Sequence, residues 1–391
     1  MTAQIRTELS QSEHPGSPQA LPVTTIAILV VLMAIGLATA IIRFINGLGA
    51  ISNLSDGRGW GLWISFDLYC GVALAAGGFT LAAMVYIFNL KKYYPIVRSA
   101  ILTAFLGYVM VILALMVDLG QPWRIWHILI YWNPHSPLFE VGWCVLLYTT
   151  VLALEFSPNV FERFNMQTPL HLVRAIQIPL IITGIILSTL HQSSLGSTLL
   201  LMPDKIHPLW FTPILPILFF LSAVTVGLAM VIFEASLGSK GLGHPVDLDI
   251  LAGLGRMLPY LLGLYLLVRL GDLLAAGELG YIFTSGLYSV LFLVEIVGGV
   301  ILPLILFALP AVRQSRTALF WSALLVVLGL VLNRFNVSLV ALAPRPGVVY
   351  FPHPLEFAIS ISVVAAGILA YILANRYLPI SHHALTIYDS D

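Results

Sequence analysis

Ten apolar runs divide this sequence, at 22–45, 62–89, 97–117, 137–156, 171–190, 213–236, 251–270, 286–308, 317–338 and 355–376. Each is near or above the roughly 20 residues a helix needs to cross a bilayer. That spacing leaves few folds open. Lipid offers backbone groups no water to bond, so spanning segments must satisfy their own hydrogen bonds. The expectation is an all-α, polytopic membrane protein with about ten transmembrane helices. With 59% apolar and only 9% charged residues among 391, the chain departs from soluble globular composition. The connections are too short for a soluble domain. The reading is a membrane domain over 22–376, between a polar N-terminal tail (1–21) and a C-terminal tail (377–391).

Residues 1–20 hold Arg6, Glu8 and Glu13 and lack the apolar core of a cleavable signal, so the first helix is expected to start insertion. Orientation follows from the basic residues in the connections. Arg6, Lys91, Lys92, Arg98, Arg163, Arg174, Lys240, Arg256, Arg313, Arg316 and Arg376 fall on one side, against Arg58, Arg124, Lys205 and Arg345 on the other. Eleven against four places both termini in the cytoplasm, and the loops after odd helices face the periplasm of a bacterial inner membrane. A formal net charge of zero gives no sign of nucleic acid. Cys70 and Cys144 lie within separate runs, where small apolar packing is the ordinary role.

Ionisable groups inside a membrane cost several kcal/mol unless paired or hydrated, so they mark candidate sites. Arg43, Asp118, His191, Arg269 and Arg334 fall at the outer ends of the odd helices. Asp67, Glu140 and Glu356 fall at the outer starts of the second, fourth and tenth. Together they suggest a polar pocket in the outer half of the bundle. The plainer alternative is snorkelling or pairing at the interface for Arg43, Arg334 and Glu356, and closure of the turn DLGQPW for Asp118. Asp67 and Glu140 lie about a turn inside their runs, where function is the stronger reading. His191 opens HQSSLGS, and with Gln192, Ser193 and Ser194 it offers donors and acceptors at the membrane surface. An imidazole there can donate to a carbonyl and exchange its proton. The inner half is sparser: Glu155 ends the fourth helix, Glu234 ends the sixth, and Glu295 sits near the middle of the eighth.

All ten histidines are expected in loops, tails or helix ends. A membrane b-type haem wants inward-facing axial ligands within helices, often two histidines, so no haem is expected. Two lone cysteines cannot hold an iron–sulfur cluster. No metal site is expected, and redox electrons would have to come from another subunit. The loop DLGQPWRIWHILIYWNPHSP reads as an aromatic belt, with partner docking as the alternative. The small residues of AAGGF in the second helix allow close helix approach.

The stretches GLGAISNLSDGRGWGLWISFDLYCGVALAAGGF, LFEVGWCVLLYTTVLALEFSP, LHQSSLGS with KIHPLW, and VIFEASL resemble the polysulfide-reductase membrane-subunit (NrfD-like) family. The likeness runs from about residue 43 to 376. Its nearest branches are hydrogenase-2 membrane subunits and those of the sulfite-reductase-linked transmembrane complex; DLGQPWRIWH departs from the hydrogenase pattern. The resemblance implies two four-helix bundles (helices 2–5 and 6–9) flanked by helices 1 and 10. It implies a haem-free, quinone-reactive anchor beneath a periplasmic, four-cluster ferredoxin-like iron–sulfur subunit, which links it to further catalytic subunits. It puts Glu140 and His191 among the quinone-side residues, and Glu155 and Glu234 among the inner carboxylates.

Two function classes fit the residues. In the first, menaquinone or ubiquinone exchanges electrons at the outer face. His191, Glu140, Asp67, Ser194, Asp118 and Arg43 would form the quinone site, and Glu155, Glu234 and Glu295 a proton route. In the second, the same carboxylates bind coupling ions in a secondary transporter or ion conductor, which predicts inverted repeats and helices broken at the midplane. A purely passive anchor would leave the buried carboxylates without a purpose.

Overall fold

The computed structural model describes residues 23–58, 60–241, 246–342 and 350–380. All of the expected N-terminal tail and most of the C-terminal one lie outside them. Among the described residues ten helices are long and apolar enough to cross a membrane. They are α1 (Val23–Asn46), α2 (Trp63–Ile87), α3 (Lys91–Asp118), α4 (Pro137–Arg163) and α5 (Gln177–Leu199). The series continues with α6 (Leu215–Gly238), α7 (Leu248–Ala275), α8 (Leu287–Ala308), α9 (Arg316–Val340) and α10 (Pro354–Tyr377).

Helices α2–α5 close one four-helix bundle, with α5 returning against α2; α6–α9 close a second, with α9 returning against α6. The bundles meet where α6 packs on α2 and α5 and where α9 packs on α2. Helix α1 lies along α10, which rests on α3. The expected architecture of two bundles with flanking helices is the one observed. Between apolar helices in lipid, association rests on close packing rather than on burial from water, and glycines set the crossings. A Cβ on Gly227 of α6 would lie 2.8 Å from the Ala76 carbonyl carbon of α2. One on Gly299 of α8 would come within 2.5 Å of the Gly329 Cα of α9.

Three of the spans contain wider, π-helical turns: Trp63–Cys70 and Ala83–Ile87 in α2, Val294–Ile301 in α8, and Asn336–Val340 in α9. Such turns add a residue and re-aim the side chains around it, often at functional sites. Asp67, Glu295 and Asn336 all lie on them.

The fifth helix departs from the sequence reading. It does not occupy 171–190. Residues Gln167–Ala175 form a separate amphipathic helix, which buries Leu170 and Val173, and the span runs on to Leu199. HQSSLGSTL stays helical because its hydroxyls bond back along the helix: Ser194 Oγ donates to the Leu190 carbonyl at 2.8 Å and Ser197 Oγ to that of Ser193 at 3.3 Å. His191 is therefore two turns inside a span, not at its end. The premise that every histidine avoids the spans fails at this residue. Helix α4 likewise continues past 156, through Pro158, to Arg163, so Glu155 lies inside it.

Candidate functional site

The first bundle gathers a polar group around His191. Helix α5 sets Ser188 and His191 three residues apart, on one face; α3 contributes Tyr108, and α4 Cys144 and Tyr148. Tyr108 Oη lies 2.8 Å from His191 Nδ1, and the Tyr108 and Tyr148 rings meet edge-on with centroids 4.7 Å apart. Ser188 adjoins both phenols. His191 is 0% exposed. Its Nε2, Ser188 Oγ and Tyr148 Oη are buried with no hydrogen-bond partner among the described residues. Gln192 donates to the Val72 carbonyl at 3.0 Å, while its Oε1 is similarly unpartnered. With Tyr108 donating to Nδ1, the remaining ring nitrogen carries the proton and becomes a free donor.

Glu140 is not enclosed with His191. It sits exposed in the first turn of α4, at the mouth of the bundle. Its spacing of four and eight residues to Cys144 and Tyr148 puts the three on one helix face. Further along α4, Glu155 faces α5 across Gly184, where a Cβ would lie 3.2 Å from its Oε1. Ser194 is buried, and its hydroxyl proton is used within its own helix.

Arg43, Asp67 and Asp118 form a second, separate group where α1, α2, α3 and α10 meet. The Arg43 guanidinium donates to the carbonyls closing α3: Val117 at 2.7 Å, Leu119, and Gly120 at 3.5 Å. Asp118 adjoins both Arg43 and Glu356. Asp67 is buried and accepts from Ser360 Oγ at 2.6 Å. Glu356 is committed to structure: it closes a capping box with His353 at the start of α10 and accepts from Asn53 N at 3.0 Å and from Tyr350 Oη at 2.5 Å. The outer residues thus divide between two places, and one pocket does not collect them all.

The second bundle holds a polar core that the sequence reading dispersed. Glu295 accepts from Trp210 Nε1 at 2.9 Å, Asn333 Nδ2 at 2.7 Å and Asn336 Nδ2 at 2.7 Å. Arg334 donates to Asn333 Oδ1 and Ser222 Oγ, each at 2.7 Å, and stacks 3.6 Å from the Phe219 ring centroid. Arg269 donates to the Leu209 carbonyl and faces Asp272 at 3.8 Å. Arg269 and Arg334 are therefore buried in the bundle and do not snorkel at its rim. A cavity of about 30 Å³ lies against Glu295, Tyr265 and Asn333, with room for water. Ser338 Oγ donates to Ser65 Oγ at 2.8 Å, joining this core to α2 of the first bundle. Trp210, Tyr108, Asn333 and Asn336 were missed as site residues. KIHPLW and the polar pair beside Arg334 in NRFN were the available signals, but only tertiary packing aims them at Glu295.

At the opposite end Glu234 accepts from Ser99 Oγ at 2.9 Å and Thr103 Oγ1 at 2.6 Å, and lines a cavity of about 80 Å³ with Tyr371 and Asn375. Beyond it Glu162 pairs with Arg98 at 3.1 Å and with Arg174 at 2.8 Å. No group of histidine, cysteine and carboxylate side chains among the described residues has the arrangement of a metal centre.

The family described as polysulphide reductase, NrfD, matches residues 51–342. A protein of Nitratidesulfovibrio vulgaris is 42% identical over 361 residues, covering 90% of this chain and 92% of its own length. The probable Ni/Fe-hydrogenase 2 b-type cytochrome subunit of Escherichia coli is 38% identical, covering 86% of this chain and 87% of its own. The integral membrane subunit of menaquinone reductase from Nitratidesulfovibrio vulgaris is 31% identical, with 88% of each covered. The match spans both bundles, and these relatives align over nearly their whole lengths: this chain is a multi-pass membrane protein of the polysulphide reductase NrfD family.

Proposed function

We propose that this chain is the haem-free, quinone-reactive membrane subunit of a respiratory redox complex. A periplasmic four-cluster iron–sulfur subunit on the outer face would exchange electrons with it, and further catalytic subunits would stand behind that partner. The observation that carries the reading is the unpartnered Nε2 of His191, deep in the first bundle and held through Nδ1 by Tyr108. In this reading Nε2 donates to a carbonyl of menaquinone or ubiquinone, and Tyr148 and Ser188 offer the adjoining hydroxyls. Two electrons and two protons convert the quinone to quinol. Because His191 is enclosed, the headgroup enters as the outer ends of α3, α4 and α5 part, past Glu140 at the mouth. The relatives named for menaquinone reductase and for a hydrogenase support redox over transport.

The relative from Escherichia coli is named a b-type cytochrome subunit. In this chain the described spans hold one histidine, its Nδ1 bound to Tyr108; a haem held by two histidines does not fit them.

Both termini are assigned to the cytoplasm, on the count of basic residues. Glu234, at its cavity, and Glu155 would take protons from that side. Glu295 would sit on a second branch, where its three N–H donors leave one lone pair, on Oε1, open to a proton. Asp67 and Asp118 would serve protons at the outer end, with Arg43 as the fixed positive charge beside Asp118. Protons from inside meeting electrons from outside make turnover electrogenic, at about 2.3 kcal/mol per charge for each 100 mV. His191→Ala is expected to lower quinone-coupled turnover at least ~100-fold while the complex still assembles. Turnover at the wild-type rate in an assembled His191→Ala complex refutes the site.

A further inference from the structure

Arg256 lies eight residues into α7, about 12 Å along the helix from its start. The sequence reading counted it with the loops, yet it sits within a span, exposed, with no hydrogen bond or ion pair among the described residues. In a 28-residue span a guanidinium two turns from the end stands near headgroup level, where an anionic headgroup is its natural partner. It faces a cavity of about 360 Å³ between α7 and the α8–α9 turn, which Asp249, Arg313 and Gln314 also line. Arg313 is held in place there: one of its nitrogens donates to the Phe307 and Ala308 carbonyls, at 2.8 and 3.1 Å, leaving the rest of its guanidinium uncommitted. Above the cavity an apolar track leads into the membrane. Tyr260, Leu264 and Leu267 continue the Arg256 face of α7; Leu302 and Ile305 stand exposed on the neighbouring α8, and Leu309 just past its end.

We propose that this cavity binds an anionic phospholipid whose headgroup carries hydroxyls, of the phosphatidylglycerol type. Arg256 and Arg313 hold the phosphodiester by charge-assisted hydrogen bonds. Asp249 and Gln314 accept from the headgroup hydroxyls. The acyl chains lie along the α7–α8 track. Two guanidinium groups against one carboxylate leave the site net positive. Basic recesses between helices on the arginine-rich side of a membrane protein suit such headgroups. A free phosphate shares the anionic chemistry but has no use for the apolar track, which is why the lipid is the occupant named.

The full chain, purified in neutral detergent within its native assembly, is titrated with short-chain phosphatidylglycerol, phosphatidylcholine or inorganic phosphate. Bound molecules are counted by native mass spectrometry. Wild-type protein is expected to retain one more phosphatidylglycerol than the Arg256→Gln/Arg313→Gln double variant, whose affinity at the site falls about ten-fold or more. Arg256→Lys keeps the charge without the paired donors and should fall between. Arg124→Gln, on the opposite side by chain topology, should match wild type. Equal phosphatidylglycerol retention by wild type and double variant overturns the proposal. So does equal competition by phosphatidylcholine, or phosphate binding alone that the double variant abolishes.

Discussion

Replacing Glu295 with Leu keeps the bulk of the side chain and deletes both carboxylate oxygens. Three donors lose their acceptor at once: the buried Trp210 indole N–H and Asn336 amide, and the half-buried Asn333 amide. In a soluble protein each stranded donor costs about 1–3 kcal/mol. Side-chain hydrogen bonds inside membranes have measured smaller, about 0.6 on average and about 1.7 at most, because the unfolded chain in lipid finds other partners. The membrane value governs here, so three bonds come to roughly 2–5 kcal/mol. Arg334 keeps Ser222 Oγ, the Phe219 carbonyl and the Phe219 ring but loses the charge of Glu295, so this figure is a lower bound. Glu295→Gln keeps one acceptor oxygen but turns an NH2 towards donors, and should lose about 1–2 kcal/mol. The assay is reversible unfolding of the purified chain in mixed micelles, titrated with a denaturing detergent. A Glu295→Leu midpoint corresponding to less than about 0.5 kcal/mol, the usual effect of a neutral surface change, refutes the argument that this carboxylate organises the second bundle.

Gly227→Val should disrupt the contact between the bundles, because the side chain has no space beside the Ala76–Gly77 backbone; at least the ~1–3 kcal/mol of an overpacked core is expected in the same unfolding assay. Tyr108→Phe removes the group that orients His191, and quinone-coupled turnover should fall about ten-fold, the worth of one hydrogen bond, with the unfolding midpoint little changed. In the loop before α6, burial lowers the His207 imidazole from its ordinary value of 6.5. As pH falls through that value the unfolded chain takes up the proton first, so stability drops between 6.5 and the lowered folded value. His207→Gln should flatten that acid limb in a pH series of unfolding midpoints.

The ten spans were legible because lipid imposes one rule on every segment, and length plus apolarity states it. The ends were less legible. HQSSLGSTL looks like a surface run until its hydroxyls are seen bonding along the helix, which moved His191 from a helix end into the bundle. The outer charges were recognised as costly, but their partners could not be read. Arg43 is held by backbone carbonyls of α3, and Glu356 by a cap and the Tyr350 hydroxyl, neither of which has a charge pattern. The polar core of the second bundle depends on π-helical turns at Glu295 and Asn336. These turns shift side-chain direction without any residue type that announces them. Arg256 was counted with the connections although the run 251–270 already held it; α7 starts at Leu248, which leaves Arg256 about two turns inside the helix.

The most direct test of the central claim is to map where a photoreactive quinone analogue attaches in the purified complex. The account predicts labelled residues on α3, α4 and α5 around Tyr108, Cys144 and His191, with labelling suppressed by excess native quinone and lost in His191→Ala. Labelling confined to the second bundle, around Trp210, Tyr265 and Arg269, and unchanged in His191→Ala, would contradict it.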